Sequence, residues 1–195
     1  MRYAMAVDTK KCVGCSDCVV SCQTENDVPI GYCRDWVVET IDGTYPQLEV
    51  ELRSERCNHC DNAPCVRCCP TGASHIVEGG IVVVNPRKCI GCGACIASCP
   101  YDARYPHPKG YVDKCTFCIH RVKEGMKPAC VSVCPTKCMY FGDLDDPNSD
   151  VSKVLKKRKH KTLIPEAGTK PQLYFLILSD HERRTYNKRK RKPAG

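Results

Sequence analysis

The sequence predicts a loop-rich α+β fold in which four cysteine-bearing loops, rather than a large aromatic core, organise short strands and helices. Three observations carry this reading. The 195 residues include 19 Cys beside 3 Phe and 1 Trp, the cysteines fall into four quartets, and short alternating stretches of strand type separate the quartets. Cysteine at this density marks either a secreted disulfide scaffold or a metal protein. The odd total and the many cysteines only two residues apart weigh against a bridging network, whose partners must be distant in sequence and correctly oriented.

The elements follow in chain order. Tyr3, Met5 and Val7 alternate with small residues, predicting a half-buried strand before the first quartet, Cys12, Cys15, Cys18 and Cys22. Leu48, Val50 and Leu52 alternate with charged residues and predict a second half-buried strand, within a connecting hairpin over 33–56. The second quartet is Cys57, Cys60, Cys65 and Cys69, followed by Pro70. Residues 74–78 and 81–84 flank Gly79-Gly80 and predict a hairpin closed by a two-residue turn. The third quartet is Cys89, Cys92, Cys95 and Cys99, and the fourth Cys115, Cys118, Cys130 and Cys134, again each followed by proline. In every quartet the last two cysteines stand at i and i+4 of a predicted short helix, which Pro70, Pro100 and Pro135 stop in three cases. Beyond Gly142 a capped, Lys-rich helix is predicted over 151–159, starting from Ser149 or Asp150. Few apolar residues follow, so residues 143–195 are expected to lack a core of their own and to form an arm that orders against a partner.

The first and third quartets have the C-x2-C-x2-C-x3-C spacing of bacterial ferredoxins; the second and fourth stretch one gap to four and to eleven residues. Such a loop supplies three thiolates to a [4Fe–4S] cubane, and in two-cluster ferredoxins the fourth cysteine serves the other cluster, so quartets work in pairs. Four quartets predict four [4Fe–4S] clusters. Zinc is the competing metal, but its ribbons use separated Cys pairs without the trailing Cys-Pro. Sixteen ligating thiolates and four oxidised cores would bring the formal charge of +8 to roughly zero, so the basic excess balances clusters rather than nucleic acid. The remaining positive charge, Arg183, Arg184 and residues 188–192, reads as a solvated tail.

Cys33, Cys68 and Cys138 are surplus and are read as small buried residues. His59 and His120 adjoin ligands and are read as hydrogen-bond donors to cluster sulfur or a partner; Trp36, Tyr45 and Tyr101 are read as packing groups. No nucleophile elbow, P-loop or dinucleotide fingerprint occurs, so no catalytic site is expected in the chain. No signal-peptide core opens the sequence, and the longest apolar run, residues 173–178, is too short to span a bilayer.

The four-quartet order, with Met5-Ala-Val-Asp8, Cys57-Asn-His-Cys60, Cys69-Pro-Thr-Gly-Ala73, Cys89-Ile-Gly-Cys92, Cys99-Pro-Tyr-Asp-Ala-Arg-Tyr105, Lys114-Cys-Thr-Phe-Cys118 and Pro165-Glu-Ala-Gly-Thr-Lys-Pro171, resembles the four-cluster iron–sulfur subunits of the dimethyl sulfoxide reductase superfamily, polysulfide and thiosulfate reductases above all. Arsenate reductase and hydroxyaromatic transhydroxylase small subunits are similar too, and a free polyferredoxin is the rival outside the superfamily. The resemblance implies two nested ferredoxin-like dicluster modules, an outer one over 1–32 and 105–142 and an inner one over 57–104. It also implies the ligand sets: Cys12, Cys15 and Cys18 with Cys134; Cys115, Cys118 and Cys130 with Cys22; Cys57, Cys60 and Cys65 with Cys99; Cys89, Cys92 and Cys95 with Cys69. It further implies electron transfer between a molybdopterin catalytic subunit and a membrane subunit with a quinone site. The expected location is the membrane periphery, on the periplasmic side by co-export, with the cytoplasm as the alternative.

Overall fold

A computed structural model of the chain describes residues 1–177; the basic residues Arg183, Arg184 and 188–192 lie outside them. The architecture of the described residues is α+β, with one four-stranded sheet and three two-stranded hairpins. The sheet runs in the order β8 (Met139–Asp143), β1 (Tyr3–Asp8), β10 (Leu173–Leu176), β9 (His160–Lys161). β1 pairs antiparallel with β8 and parallel with β10, placing Met5 opposite both Phe141 and Leu173.

β1 is more buried than its alternation predicts, because both of its faces are covered. Met5 and Val7 pack with Phe141, Leu173 and Phe175 into the cysteine-rich core. Ala4 and Ala6, on the other face, meet Val151 and Leu176, which brings helix α6 (Asp150–Lys157) onto the sheet. Small side chains on that face let the helix approach closely. Ser149 caps α6, accepting the Ser152 N–H on its hydroxyl.

The expectation of an extended arm is corrected over residues 143–177. Leu173, Phe175 and Leu176 are fully buried, and β10 is an interior strand of the main sheet. Sparse apolar residues that cannot build a core alone can complete one, because the exposed edge of β1 offers unpaired N–H and C=O groups and a ready hydrophobic face.

α1 (Asp17–Glu25) carries Cys18 and Cys22 and packs against α5 (Ala129–Val133), while α2 (Pro64–Arg67) packs against α3 (Ala94–Ala97). Three of the predicted cysteine helices are shorter than the i to i+4 reading. α2, α3 and α5 end before Cys69, Cys99 and Cys134, since a residue preceding proline is driven out of the helical region. Only α1, with Gln23 after Cys22, holds both cysteines.

β2 (Asp35–Thr44) and β3 (Gln47–Arg56) form the long hairpin. Its alternation misleads: Leu48 and Val50 are 43% and 50% exposed, and the buried residues are Asp35, Ser54 and Arg56 at the base. Tyr45, read as a packing group, is 88% exposed. β4 (Ser74–Val77) pairs with β5 (Ile81–Val84) as expected, but Val77 faces Ile81, so the loop has three residues, Glu78, Gly79 and Gly80. Gly79 has φ +79° and a Cβ there would run into the Tyr3 ring, which fixes glycine at that place. The short pair β6 (Tyr105–Pro106) and β7 (Val112–Asp113), helix α4 (Ile119–Lys123) and a 3-10 turn at Pro165–Ala167 complete the order.

Candidate metal centres

The four cysteine loops share one backbone device. The residue before the second cysteine, Gly14, His59, Gly91 or Phe117, has positive φ in each loop, at +70°, +43°, +68° and +52°. A left-handed residue there turns the chain sharply between the first two thiols. Two of the four are not glycine, and these two stack on each other, His59 on Phe117, with ring centroids 3.7 Å apart. The stack joins the second loop to the fourth.

Side chains distant in sequence converge around these loops. Cys12, Cys15 and Cys18 line one cavity together with Cys134, Cys138, Val37 and Met139. Cys115, Cys118 and Cys130 line another with Cys22, Arg34, Asp35 and Arg56. Burial pushes the Cys60 thiol up to about 12, helped by the nearby thiols of Cys57, Cys65 and Cys99. Cys89 lies close enough to Cys95 to act on it electrostatically, and its Sγ accepts the Val112 N–H at 3.4 Å.

Cys69 and Cys134 are matched in detail. Each begins a Cys-Pro-Thr run. Cys69 Sγ is 3.8 Å from the Thr71 hydroxyl and accepts the Ser74 N–H at 3.4 Å; Cys134 Sγ is 3.6 Å from the Thr136 hydroxyl and accepts the Cys138 N–H at 3.4 Å. Burial pushes both thiols up, but these bonds outweigh it and leave both below the ordinary range.

Buried cations stand among the thiols. Arg56 donates to Cys130 Sγ at 2.8 Å, and Arg104 to Cys65 Sγ at 2.8 Å. Lys114, fully buried, donates to the carbonyls of Val82 and Cys115. Asp35 lies 3.6 Å from Arg56, and burial pushes its carboxyl up. Arg104 and Lys114 have no carboxylate partner among the described residues, and cations so buried would be costly beside neutral thiols. Beside thiolates that take iron they are compensated, and a donor set of thiols in fours suits a cubane, where each iron accepts one thiolate. Buried N–H groups at Arg56 Nε and at Arg104 Nε and Nη1 have no acceptor among the described residues, which also fits a sulfur-rich group. Among the described residues, no three His, Cys, Asp or Glu side chains close on a single metal ion.

His59 accepts the Val82 N–H on Nδ1, and burial keeps the ring neutral; its buried Nε2 has no partner among the described residues. His120 departs from the sequence reading and pairs with Glu25 Oε1 at 2.7 Å on the surface. Of the surplus cysteines, Cys138 is buried 3.4 Å from Cys134 Sγ, Cys68 is half-buried 3.2 Å from Ser98 Oγ, and Cys33 is exposed rather than buried.

Arg56, Asp35, Ser54, Ser74 and Thr169 escape a reading of spacing, since each works through a partner far along the chain. Thr169 lies in the Pro-Glu-Ala-Gly-Thr-Lys-Pro segment and accepts the Asn62 N–H on its carbonyl, while its hydroxyl meets Tyr101 Oη at 2.5 Å. The Lys170 carbonyl accepts the Asp61 N–H, and Gln172 donates to the Asn58 carbonyl at 2.8 Å. The late segment thereby closes over the second cysteine loop, which explains why so specific a motif stands far from any cysteine.

Comparison with known proteins agrees with this geometry. Residues 48–144 match the family model of the 4Fe-4S dicluster domain. The B subunit of the tetrathionate reductase of Salmonella typhimurium is 43% identical over 92% of this chain and 74% of its own length. The corresponding B polypeptide of the polysulfide reductase of Wolinella succinogenes is 44% identical over 90% of this chain and 94% of its own. The iron–sulfur subunit of the arsenate respiratory reductase of a Shewanella species is 36% identical, covering 90% and 96% respectively. This protein belongs to the iron–sulfur B subunits of dimethyl sulfoxide reductase family enzymes, electron-transfer subunits that carry [4Fe–4S] clusters.

Proposed function

We propose that the chain carries electrons through four [4Fe–4S] clusters between a molybdopterin catalytic subunit and a membrane quinone-reacting subunit of a respiratory reductase of polysulfide or thiosulfate type. The identities of 43% and 44% to sulfur-compound reductase subunits, against 36% to the arsenate enzyme's, favour sulfur substrates over arsenate, while the NrfC proteins are equally similar, at 44% and 45%. The ligand sets follow the crossed pattern: Cys12, Cys15, Cys18 and Cys134; Cys22, Cys115, Cys118 and Cys130; Cys57, Cys60, Cys65 and Cys99; Cys69, Cys89, Cys92 and Cys95. The observation that carries this reading is the pair of cavities in which Cys134 joins the first loop and Cys22 joins the fourth. Clusters, when bound, supply one-electron storage. The chain's own residues bury the thiols, direct backbone N–H groups at sulfur, hold cations beside them and exclude water. His59 Nε2–H, with no acceptor among the described residues, suits a cluster sulfur. Substrate chemistry is assigned to the partner. Among the described residues no helix is long and apolar enough to cross a membrane, so a membrane link is assigned to a second partner, with the complex on the periplasmic side.

The test is purification under anaerobic conditions from native membranes, followed by subunit identification and Mo, Fe and Zn analysis. Co-purification with a molybdenum protein and a polytopic membrane protein is the expected result. Recovery of the chain alone, free of molybdenum at every stage, would leave the free polyferredoxin as the better account.

A further inference from the structure

Two buried arginines occupy matching positions that the internal repeat does not explain. Arg56, at the end of β3, is 1% exposed, and Arg104, just before β6, is 4% exposed. Arg56 donates from Nη1 to Cys130 Sγ at 2.8 Å and from Nη2 to Ser54 Oγ, which lies 3.4 Å from Cys18 Sγ. Arg104 donates from Nη2 to Cys65 Sγ at 2.8 Å and to Ser74 Oγ at 2.9 Å, while the Ser74 N–H donates to Cys69 Sγ at 3.4 Å. Each guanidinium therefore reaches a thiol of one set directly and, through one serine, a thiol of a neighbouring set, and Arg104 also bears on Cys95 of that neighbouring set. Arg56 spans the sets of Cys130 and Cys18; Arg104 spans those of Cys65 and Cys69.

We propose that Arg56 and Arg104 are matched bridging cations, each shared by the two clusters of one module, so that an electron is stabilised on either side of the crossing. The inference rests on the ligand sets given under Proposed function. The step is a transfer of one electron from iron to iron, the donor cluster oxidised by one electron and the acceptor reduced by one, with no proton moved. Each reduced cluster gains one negative charge, and in a buried, weakly screened site a nearby cation stabilises that charge strongly. A cation bonded to a single cluster would hold the electron there and widen the gap between the pair. Shared between two, it raises both potentials together and keeps the crossing nearly level. Arginine suits the task because its planar fork presents several fixed donors and it stays charged when buried. These are positioning residues, acting on the electron through the thiolates.

The test uses the assembled complex, with each cluster followed by electron paramagnetic resonance during redox titration and its signal assigned by single Cys→Ser variants in each loop. Arg104→Gln should move the clusters of Cys65 and Cys69 to more negative potential together and leave the other two in place. Arg56→Gln should do the same for those of Cys18 and Cys130. Arg104→Lys, which keeps the charge and loses the fork, should recover part of the shift. Ser54→Ala, which removes the hydroxyl standing between Arg56 and Cys18, should disturb the cluster of Cys18 more than that of Cys130, and it carries the test together with Arg104→Lys if the Gln variants lose iron. A shift confined to one cluster, an equal shift in all four, or none in any variant overturns the inference. The wild-type complex separates this failure from that of the underlying reading: four reducible clusters with the crossed Cys→Ser pattern uphold the ligand sets whatever the arginine variants do.

Discussion

At the scale of single residues, the left-handed turn before each second cysteine shows how local geometry and long-range packing trade off. Glycine takes that conformation freely, whereas another residue gives up about 1–2 kcal/mol. At Gly91 a Cβ would meet the Gly110 carbonyl oxygen at 2.7 Å, and at Gly14 it would only touch the flexible end of Leu52 at 3.3 Å. Gly91→Ala should therefore lower thermal stability and iron retention more than Gly14→Ala, as calorimetry and iron analysis of the two variants would show. His59 runs the other way. Replacing it with glycine relieves about 1 kcal/mol of backbone strain, but leaves the buried Val82 N–H without its acceptor, a cost of about 1–3 kcal/mol, and removes the Phe117 stack, about 0.5–1.5 kcal/mol more. His59→Gly should thus be net destabilising despite relaxing the turn. Cys68 and Cys69 make a second contrast. Cys69→Ser should perturb the cluster of Cys89, Cys92 and Cys95, and Cys68→Ser should leave iron content unchanged. Identical altered resonance signals from Cys69→Ser and Cys65→Ser would show the two sharing a cluster and would sink the crossed assignment.

At the scale of elements, the decisive feature is the return of the chain after the last cysteine loop to complete the sheet begun by β1. Phe175, fully buried between the sheet and the cysteine core, should cost about 3–5 kcal/mol when replaced by alanine, measurable as a fall in the denaturant midpoint; an effect under about 1 kcal/mol would show β10 to be loosely docked. The Ser149 cap of α6 also accounts for its place in sequence, since its hydroxyl donates to the Asp143 carbonyl at 2.6 Å as well as accepting from Ser152. Ser149→Ala should cost about 1 kcal/mol. The cap was legible to within one residue, Ser149 or Asp150, ahead of a Lys-rich run; the β4–β5 hairpin was legible from its glycines, one residue short in its loop, and the helix stops from their prolines. The strand of Leu48 and Val50 was misread because alternation marks one face apolar without saying how deeply the fold buries it. The hairpin carries both residues beyond the core, and only its base, at Asp35, Ser54 and Arg56, reaches the interior.

For the whole molecule, burial of so many thiols makes the fold and the clusters interdependent. Cys18, Cys57, Cys60, Cys65, Cys95, Cys115 and Cys130 all belong to the main core, so removal of iron should lower stability as well as abolish electron transfer. Burial pushes Cys60 and Cys115 up to about 12 and Cys130 up to about 11 in the cluster-free chain. Such a group favours folding while it stays neutral. Its contribution is complete below the unfolded thiol value of about 8.5 and is lost as pH rises from there towards the folded values. The cluster-free chain should accordingly be less stable at about pH 10 than at about pH 8, whereas cluster assembly, which releases the same protons, should be favoured by the rise. A urea midpoint that climbs over that interval without iron would contradict this. The anaerobically prepared protein should hold about 16 Fe and no stoichiometric Zn.

Cysteine spacing alone determined the kind of metal centre, the number of clusters and the loops that hold them, because three of a cubane's four thiolates can come from one loop of the chain. It could not say where Arg56, Arg104 or Asp35 would lie, nor that residues 173–176 would enter the core. Arg56 meets Cys130 across 74 positions and Met5 meets Leu173 across 168. Contacts of that reach are set by which surfaces fit and which buried charges find a counter-charge, and only the tertiary structure brings those surfaces together.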